Sequence, residues 1–219
     1  MAGWDYEILG GEAVKNAVIA VLMPHRDEHD YRMWRIWWEN HIQKLQGTIW
    51  FEQRGFSLTT NRTRLVQMAL EHKEVTHIFF LDDDVVCPEN ILPVLLSLKL
   101  PIACGLYMAK KRREERGLGA WIKVAEGKYA SIDRQQAGRF VEVDVTGLGC
   151  ALIERSIFEK VLPPWFVWDP PPALSEDFFF FEKVSKVLGI KPIIDMEMAC
   201  RHIGVFVVDI DGNFTTPEM

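Results

Sequence analysis

Blocks of apolar and polar positions along the chain have lengths and periods that separate strands from helices. Asn16 to Met23 (NAVIAVLM) is a nearly continuous apolar run closed by Pro24, as a strand buried on both faces would be. Tyr31, Trp34, Trp38, Ile42 and Leu45 then recur at spacings of three and four, which predicts a helix with one face on the core. Thr48 to Glu52 reads as a second strand, Gly55 to Thr60 as a loop, and Asn61 to His72 as a helix with Leu65, Met68 and Ala69 on one face. Thr76 to Leu81 (THIFFL) is another largely apolar strand and runs straight into Asp82-Asp83-Asp84. A short helix over Asn90 to Leu98 and a strand over Pro101 to Tyr107 complete an alternation that predicts βαβ units and a mostly parallel sheet.

The pattern changes after Met108. Lys110 to Arg116 (KKRREER) reads as an exposed, charged loop. Phe140 to Val145 alternates like a half-exposed strand, and Cys150 to Ile153 continues the β character. Pro163 to Pro172 holds five prolines around Trp165, Phe166 and Trp168, so it is neither helix nor inner strand; it would make a poor core and a good wall for a site. Glu176 to Leu188 is the last helix, with Ser175 as its expected N-cap. Pro192 to Asp195 and Val205 to Ile210 end the chain's regular structure. No repeat or linker interrupts the 219 residues, which predicts one α/β domain with an irregular second half.

Charge and cysteine usage narrow the function classes. With 48% apolar and 26% charged residues the chain can bury a real core, and a net charge of −6 argues against nucleic acid as a partner. No run approaches the roughly 20 apolar residues that span a bilayer, and the acidic N-terminus does not resemble a secretory signal. Cys87, Cys104, Cys150 and Cys200 are scattered and mostly in apolar surroundings, so they read as buried thiols of a reducing compartment rather than a disulfide frame or zinc site. A cytoplasmic protein is expected.

Asp82-Asp83-Asp84 is the most informative feature. Ligands of open α/β sheets bind outside the carboxyl ends of the strands, and neighbouring carboxylates there suit a hard divalent cation. A solvated turn leading into the following helix is the plainer explanation. Pro24-His25-Arg26-Asp27-Glu28 lies at the lip of the first strand, where a base and ribose could dock, or where the chain merely enters a helix. Ser175-Glu176-Asp177 opens a helix, and acids in a first turn are ordinary dipole complementation. Gly147 and Gly149 could let an acceptor approach the backbone, although a turn accounts for them equally. Trp165 and Trp168 could stack on a sugar or pack in the core.

PHRDE, hhFLDDD, TGLGCALI, SEDFFF and RHIG occur in one order that resembles the GT-A glycosyltransferases, specifically the family 2-like enzymes that use nucleotide-diphospho-sugars. The resemblance covers Asn16 to Gly204, and Pro101 to Lys111 is similar to the stretch after the family's DxD helix. It implies a single Rossmann-like GT-A domain over residues 1–219, with a nucleotide-sugar-binding half (16–108), an acceptor half (109–204) and a C-terminal strand and tail (205–219). Pro24 and Glu28 match the P-x-x-x-E that contacts base and ribose, with His25 and Asp27 standing where the family usually has other residues. Arg62 matches an arginine of an A-R-N-like motif and is expected among the nucleotide-sugar contacts. Asp82 and Asp84 match the DxD pair, the first near the ribose together with Asp83 and the last on the metal. Asp177 matches the catalytic base of inverting members, and His202 a histidine that completes the metal site. Gly149, Glu176 and Trp168 are the expected acceptor contacts.

The function so implied is transfer of a sugar from a UDP- or GDP-linked donor to an acceptor hydroxyl, with Mn²⁺ or Mg²⁺ and with inversion, although retaining GT-A enzymes also carry metal-binding histidines. The acceptor would be a glycan, a lipid-linked sugar or a protein, and a lipid-linked one would require peripheral membrane contact. Two other readings remain. One is a non-catalytic nucleotide or sugar-binding module. The other is a haloacid-dehalogenase-like phosphatase using Asp82, which fits poorly because a whole βαβ unit precedes the motif. A nucleotidyltransferase would need a glycine-rich loop where His25 and Arg26 stand.

Overall fold

The computed structural model describes residues 17–25, 47–109, 117–168 and 175–203, together with two short strands beyond them. In chain order the elements are β1 (Ile19–Pro24), β2 (Thr48–Gln53), α1 (Leu58–Glu71), β3 (His77–Leu81), β4 (Val85–Val86), α2 (Ile91–Ser97) and β5 (Ile102–Leu106). There follow β6 (Ala120–Ala125), β7 (Lys128–Ser131), β8 (Phe140–Glu142), β9 (Val145–Thr146), β10 (Cys150–Glu154) and α3 (Arg155–Lys160). The last are α4 (Glu176–Leu188), β11 (Ile193–Ala199), β12 (Arg201–His202), β13 (Val207–Val208) and β14 (Phe214–Thr215). The expected helix carrying Trp34 and Trp38, the Lys110–Arg116 run and the prolines at 170–172 lie outside the described residues.

The large sheet has seven strands in the order β2-β1-β3-β10-β5-β11-β8. Side chains alternate across it. Ala20 and Leu22 of β1 and Ile78 and Phe80 of β3 face α1, α3 and α4, where Leu65, Val66, Phe158, Phe180 and Phe181 complete one core. Ile19, Val21, Met23, Phe79 and Leu81 face α2, where Ile91, Leu92, Leu95 and Leu96 complete the other. Burial on both faces explains why β1 and β3 are continuous apolar runs.

This is the expected α/β layout, but the sheet is mixed rather than mostly parallel. β1 runs parallel to β2 and β3, and β11 parallel to β5, whereas β10 is antiparallel to both β3 and β5, and β8 to β11. The reason is local: β10 is reached from the short strand β9 through Gly147-Leu148-Gly149, with no crossover helix to reverse the chain. Its first residue therefore lies at the end of the sheet where β3 finishes, with Cys150 opposite Leu81.

Two smaller sheets flank the large one. β4 pairs antiparallel with β12, placing Val85 opposite His202, and β12 continues through β13 to β14. β6 and β7 form a hairpin through Glu126-Gly127, with Gly127 at φ 65°. Phe140 to Val145 divides between β8 in the large sheet and β9 beside β6. Ser57 caps α1, accepting from the Thr60 N–H at 3.3 Å, while Ser175 stands at the N-cap of α4 without a side-chain capping bond. Left-handed Gly189 ends α4. Among the described residues no helix is long and apolar enough to cross a membrane.

Candidate functional site

The carboxyl ends of β1 and β3, the start of β10, the first turn of α4 and β12 converge at one edge of the large sheet. Asp82-Asp83-Asp84 lies at their centre, in a turn closed by the Val85 N–H donating to the Asp82 carbonyl at 3.1 Å. Its three carboxylates point to three different partners, so the run is more than a solvated turn.

Asp82 meets Arg62. Residues two, three and four of the α1 interior are Thr59, Thr60 and Asn61, and the next residue carries its guanidinium under the sheet edge at 1% exposure. Arg62 Nη2 donates to both oxygens of Asp82, at 2.9 and 3.1 Å. Its Nη1 donates to Glu176 Oε1 at 2.6 Å and to Asp177 Oδ1 at 2.5 Å. One guanidinium thus serves three carboxylates. Burial works against the Arg62 charge, but Asp82, Asp177 and Glu176 overcome it and hold its pKa above the ordinary guanidinium range. Burial raises the Asp177 pKa, Arg62 opposes the rise, and the charges of Glu176 and Asp82 reinforce it, leaving Asp177 at about 7. Two buried polar atoms here, Glu176 Oε2 and Arg62 Nε, have no hydrogen-bond partner, which marks the cluster as built for more than packing.

Asp84 meets His202. The Nδ1 of His202 lies 2.9 Å from the Met108 carbonyl oxygen, which can only accept, so Nδ1–H donates to it and the ring turns its Nε2 towards Asp84. That Nε2 is 3.3 Å from Asp84 Oδ1. The Ile203 N–H donates to the Asp84 carbonyl at 2.7 Å, and the β4–β12 pairing fixes both backbones. A carboxylate oxygen beside an imidazole nitrogen whose far N–H is fixed by a carbonyl is a ligand arrangement that fits a divalent cation. The mixed oxygen and nitrogen set suits Mn²⁺ better than oxygen-seeking Mg²⁺.

Asp83 turns the opposite way, 3.2 Å from His25 Nδ1, and His25 Nε2 lies 3.4 Å from Glu52 Oε2. Asn61 ties the same lip, its Nδ2 donating to the carbonyls of His25 (3.3 Å) and Phe56 (3.2 Å). Pro24 ends β1 opposite Gln53. Glu28 lies outside the described residues.

Glycine at 149 is required by a close approach within the protein. A Cβ there would lie 2.9 Å from Tyr107 Oη, 2.9 Å from Val85 Cγ2 and 3.1 Å from Asp82 Oδ2, and one at Gly147 would collide with the Tyr107 hydroxyl. Tyr107 Oη accepts from the Gly149 N–H at 2.9 Å, and its ring stands edge-on to His202 with centroids 5.2 Å apart. Burial, with Asp82 and Asp177 nearby, holds this phenol far above its ordinary pKa, so it stays neutral. Tyr107, Asn61 and Glu52 were not expected from the sequence; the one signal for Tyr107 is its place at the end of an apolar strand, where site residues collect.

The proline-and-tryptophan segment divides. Trp165 and Phe166 are core residues, with Trp165 Nε1 donating to the Val161 carbonyl at 2.6 Å, which corrects the expectation that this stretch makes a poor core. Trp168 is 60% exposed. Glu176 is buried against Arg62, with 2% exposure.

No protein-family model matches the chain, and no curated protein matches it. Solved structures do. A197 from STIV is similar over 92% of this chain and 95% of its own, with a TM-score of 0.67 and 19% identity. GalNAc-T7, crystallised with UDP, GalNAc and Mn²⁺, is similar over 83% of this chain and 43% of its own, at TM-score 0.49 and 14% identity. A glycosyltransferase involved in the glycosylation of the major capsid of PBCV-1 is similar over 79% of this chain and 76% of its own, at TM-score 0.41 and 12% identity. At 19% identity the likeness to A197 is one of fold.

Proposed function

We propose that the chain is a metal-dependent glycosyltransferase that moves a sugar from a nucleoside-diphosphate donor to an acceptor hydroxyl with inversion. One observation carries this reading: Asp84, paired with a His202 ring anchored on the Met108 carbonyl, stands on the same turn as Asp82, whose partner Arg62 also grips Asp177. A metal-binding pair and a carboxylate tuned to about 7 thus share one scaffold.

In this reading residues 16–108 hold the donor and 109–204 the acceptor. Pro24, His25 and Glu28 would line the base and ribose, with Asp82 and Asp83 beneath them. Asp84 and His202 would hold the cation, which when bound offsets the charge that gathers on the departing diphosphate. Asp177 keeps a fifth of its side chain exposed while Arg62 fixes its Oδ1. Its other oxygen is then the group that takes the acceptor proton as the acceptor oxygen bonds to the anomeric carbon and the bond from that carbon to phosphate breaks. A carboxylate with a pKa near neutrality is a stronger base than an ordinary aspartate and is still ionised in useful proportion. Glu176 shares the Arg62 clamp and positions Asp177. Trp168 and Gly149 would border the acceptor.

The phosphatase alternative needs Asp82 as an unencumbered nucleophile, and both of its oxygens are engaged by Arg62. The test is release of nucleoside diphosphate from a panel of UDP- and GDP-sugars with Mn²⁺ and candidate acceptors. Asp177→Asn should cut turnover by roughly 10²- to 10⁴-fold while donor binding persists. Turnover near wild type in that variant would remove the base, and nucleotide binding without any turnover in the wild type would make the chain a binding module.

A further inference from the structure

Cys87, Cys150 and Cys200 are far apart in the sequence, yet their three sulfurs all lie within 4.8 Å of one another. Cys87 follows β4, Cys150 opens β10, and Cys200 sits between β11 and β12. All three are buried free thiols in the core on the α2 side of the large sheet, whereas Cys104 belongs to the opposite core. β5 leaves room for them. A Cβ on Gly105 would lie 2.7 Å from Cys150 Sγ and 3.1 Å from Cys200 Sγ. Cys200 Sγ is also 3.7 Å from the Met198 carbonyl oxygen.

Buried cysteines commonly act as small apolar fillers. That role accounts for each thiol singly but gives no reason for three soft donors from three segments to meet beside a glycine. The geometry points to a structural site for a thiophilic d¹⁰ cation, held by the thiolates of Cys87, Cys150 and Cys200. At a metal–sulfur distance of about 2.3 Å the sulfurs stand about 3.8 to 4.0 Å apart, so the trio needs to contract by less than about 1 Å. Zn²⁺ is the best-matched ion: it leaves one residual negative charge among the thiolates where Cu⁺ would leave two, and the apolar surroundings disfavour the larger. The Met198 carbonyl, 3.7 Å from Cys200 Sγ, is placed to serve as a fourth ligand.

This site is chemically distinct from the oxygen-and-nitrogen pair of Asp84 and His202, and it does not depend on the transferase reading. It is also mechanically joined to that pair. Cys87 is three residues after Asp84, Cys150 follows Gly149, and Cys200 is two residues before His202. A thiolate-bound ion would pin the three chain segments that carry the edge of the candidate site. Because the trio is enclosed, the ion would enter as the chain folds and leave when it unfolds.

The test is elemental analysis of full-length protein purified without chelator, joined to refolding in excess Cd²⁺. About one zinc or copper ion per chain is expected, together with an ultraviolet sulfur-to-cadmium charge-transfer band after refolding. Cys150→Ser should lose both signals, Cys104→Ser should keep them, and Mn²⁺ should not displace the ion. Should Cys150→Ser fail to fold, the wild type and Cys104→Ser decide the matter by themselves. Metal well below one equivalent with no cadmium band would overturn the site, as would a disulfide between any two of the three cysteines.

Discussion

Replacing Asp177 by asparagine keeps the size of the side chain and an oxygen for Arg62 while removing a charge that the fold disfavours. The folded protein raises this carboxyl from 3.8 to about 7. Three pH units at about 1.4 kcal/mol each set an upper bound of about 4 kcal/mol on the penalty for ionising it in place. A carboxyl whose folded pKa is raised binds its proton more tightly in the native state than in the unfolded chain. Native stability therefore falls as pH rises from about 4 to about 7, and the penalty is fully present above that window. Local relaxation and the partly exposed carboxylate reduce the figure, and about 2 kcal/mol is a working value at pH 8. For a chain of this size that corresponds to a Tm increase of about 4 to 8 °C for Asp177→Asn over wild type. Thermal melts of both proteins across pH 4 to 8 measure it, with other titrating groups cancelling in the comparison. The two curves should meet near pH 4 and separate towards pH 8. A variant less stable than wild type at pH 8, or a difference that does not change with pH, would refute the electrostatic account of this cluster.

Other consequences follow from the same geometry. If Asp177 is the base, kcat/KM with a saturating acceptor should rise with pH along a limb of unit slope and a midpoint near 7, and that limb should vanish in Asp177→Asn. Arg62→Met leaves Asp82, Glu176 and Asp177 facing one another without their shared cation, and chemical denaturation at pH 8 should show a loss of about 3 to 5 kcal/mol that shrinks in acid. Gly149→Ala drives a methyl group against Tyr107, Val85 and Asp82, and should lower stability by about 1 to 3 kcal/mol and disturb nucleotide binding.

The first half of the chain was the more legible in sequence. β1 and β3 are buried on both faces, so their apolar runs announce them, and α1 and α4 show the helical period. The direction of β10 was hidden, because an apolar run has no polarity and the missing crossover helix was the only clue. The β6–β7 hairpin was missed although Glu126-Gly127 between alternating residues is a turn signal. Within the site, the sequence singled out Arg62, Asp82, Asp84, Asp177 and His202, and the fold brings them to one edge. What it could not show was which partner each would take: Arg62 bridges residues 20, 114 and 115 positions away, and such pairings exist only after the sheet has formed. The cysteine trio was invisible for the same reason, since its spacing follows no metal-binding pattern.

The central claim is that Asp84 and His202 hold a divalent cation on which a nucleoside diphosphate docks. Melting the wild type, Asp84→Ala and His202→Ala with UDP, GDP, dTDP and CDP, each with and without Mn²⁺, tests it directly. At about a hundred times its dissociation constant a ligand adds roughly 2.7 kcal/mol, several degrees in Tm. The account predicts such a shift in the wild type for one nucleotide, dependent on Mn²⁺ and lost in both variants. A nucleotide shift that is independent of the metal, or that survives both substitutions, would contradict it.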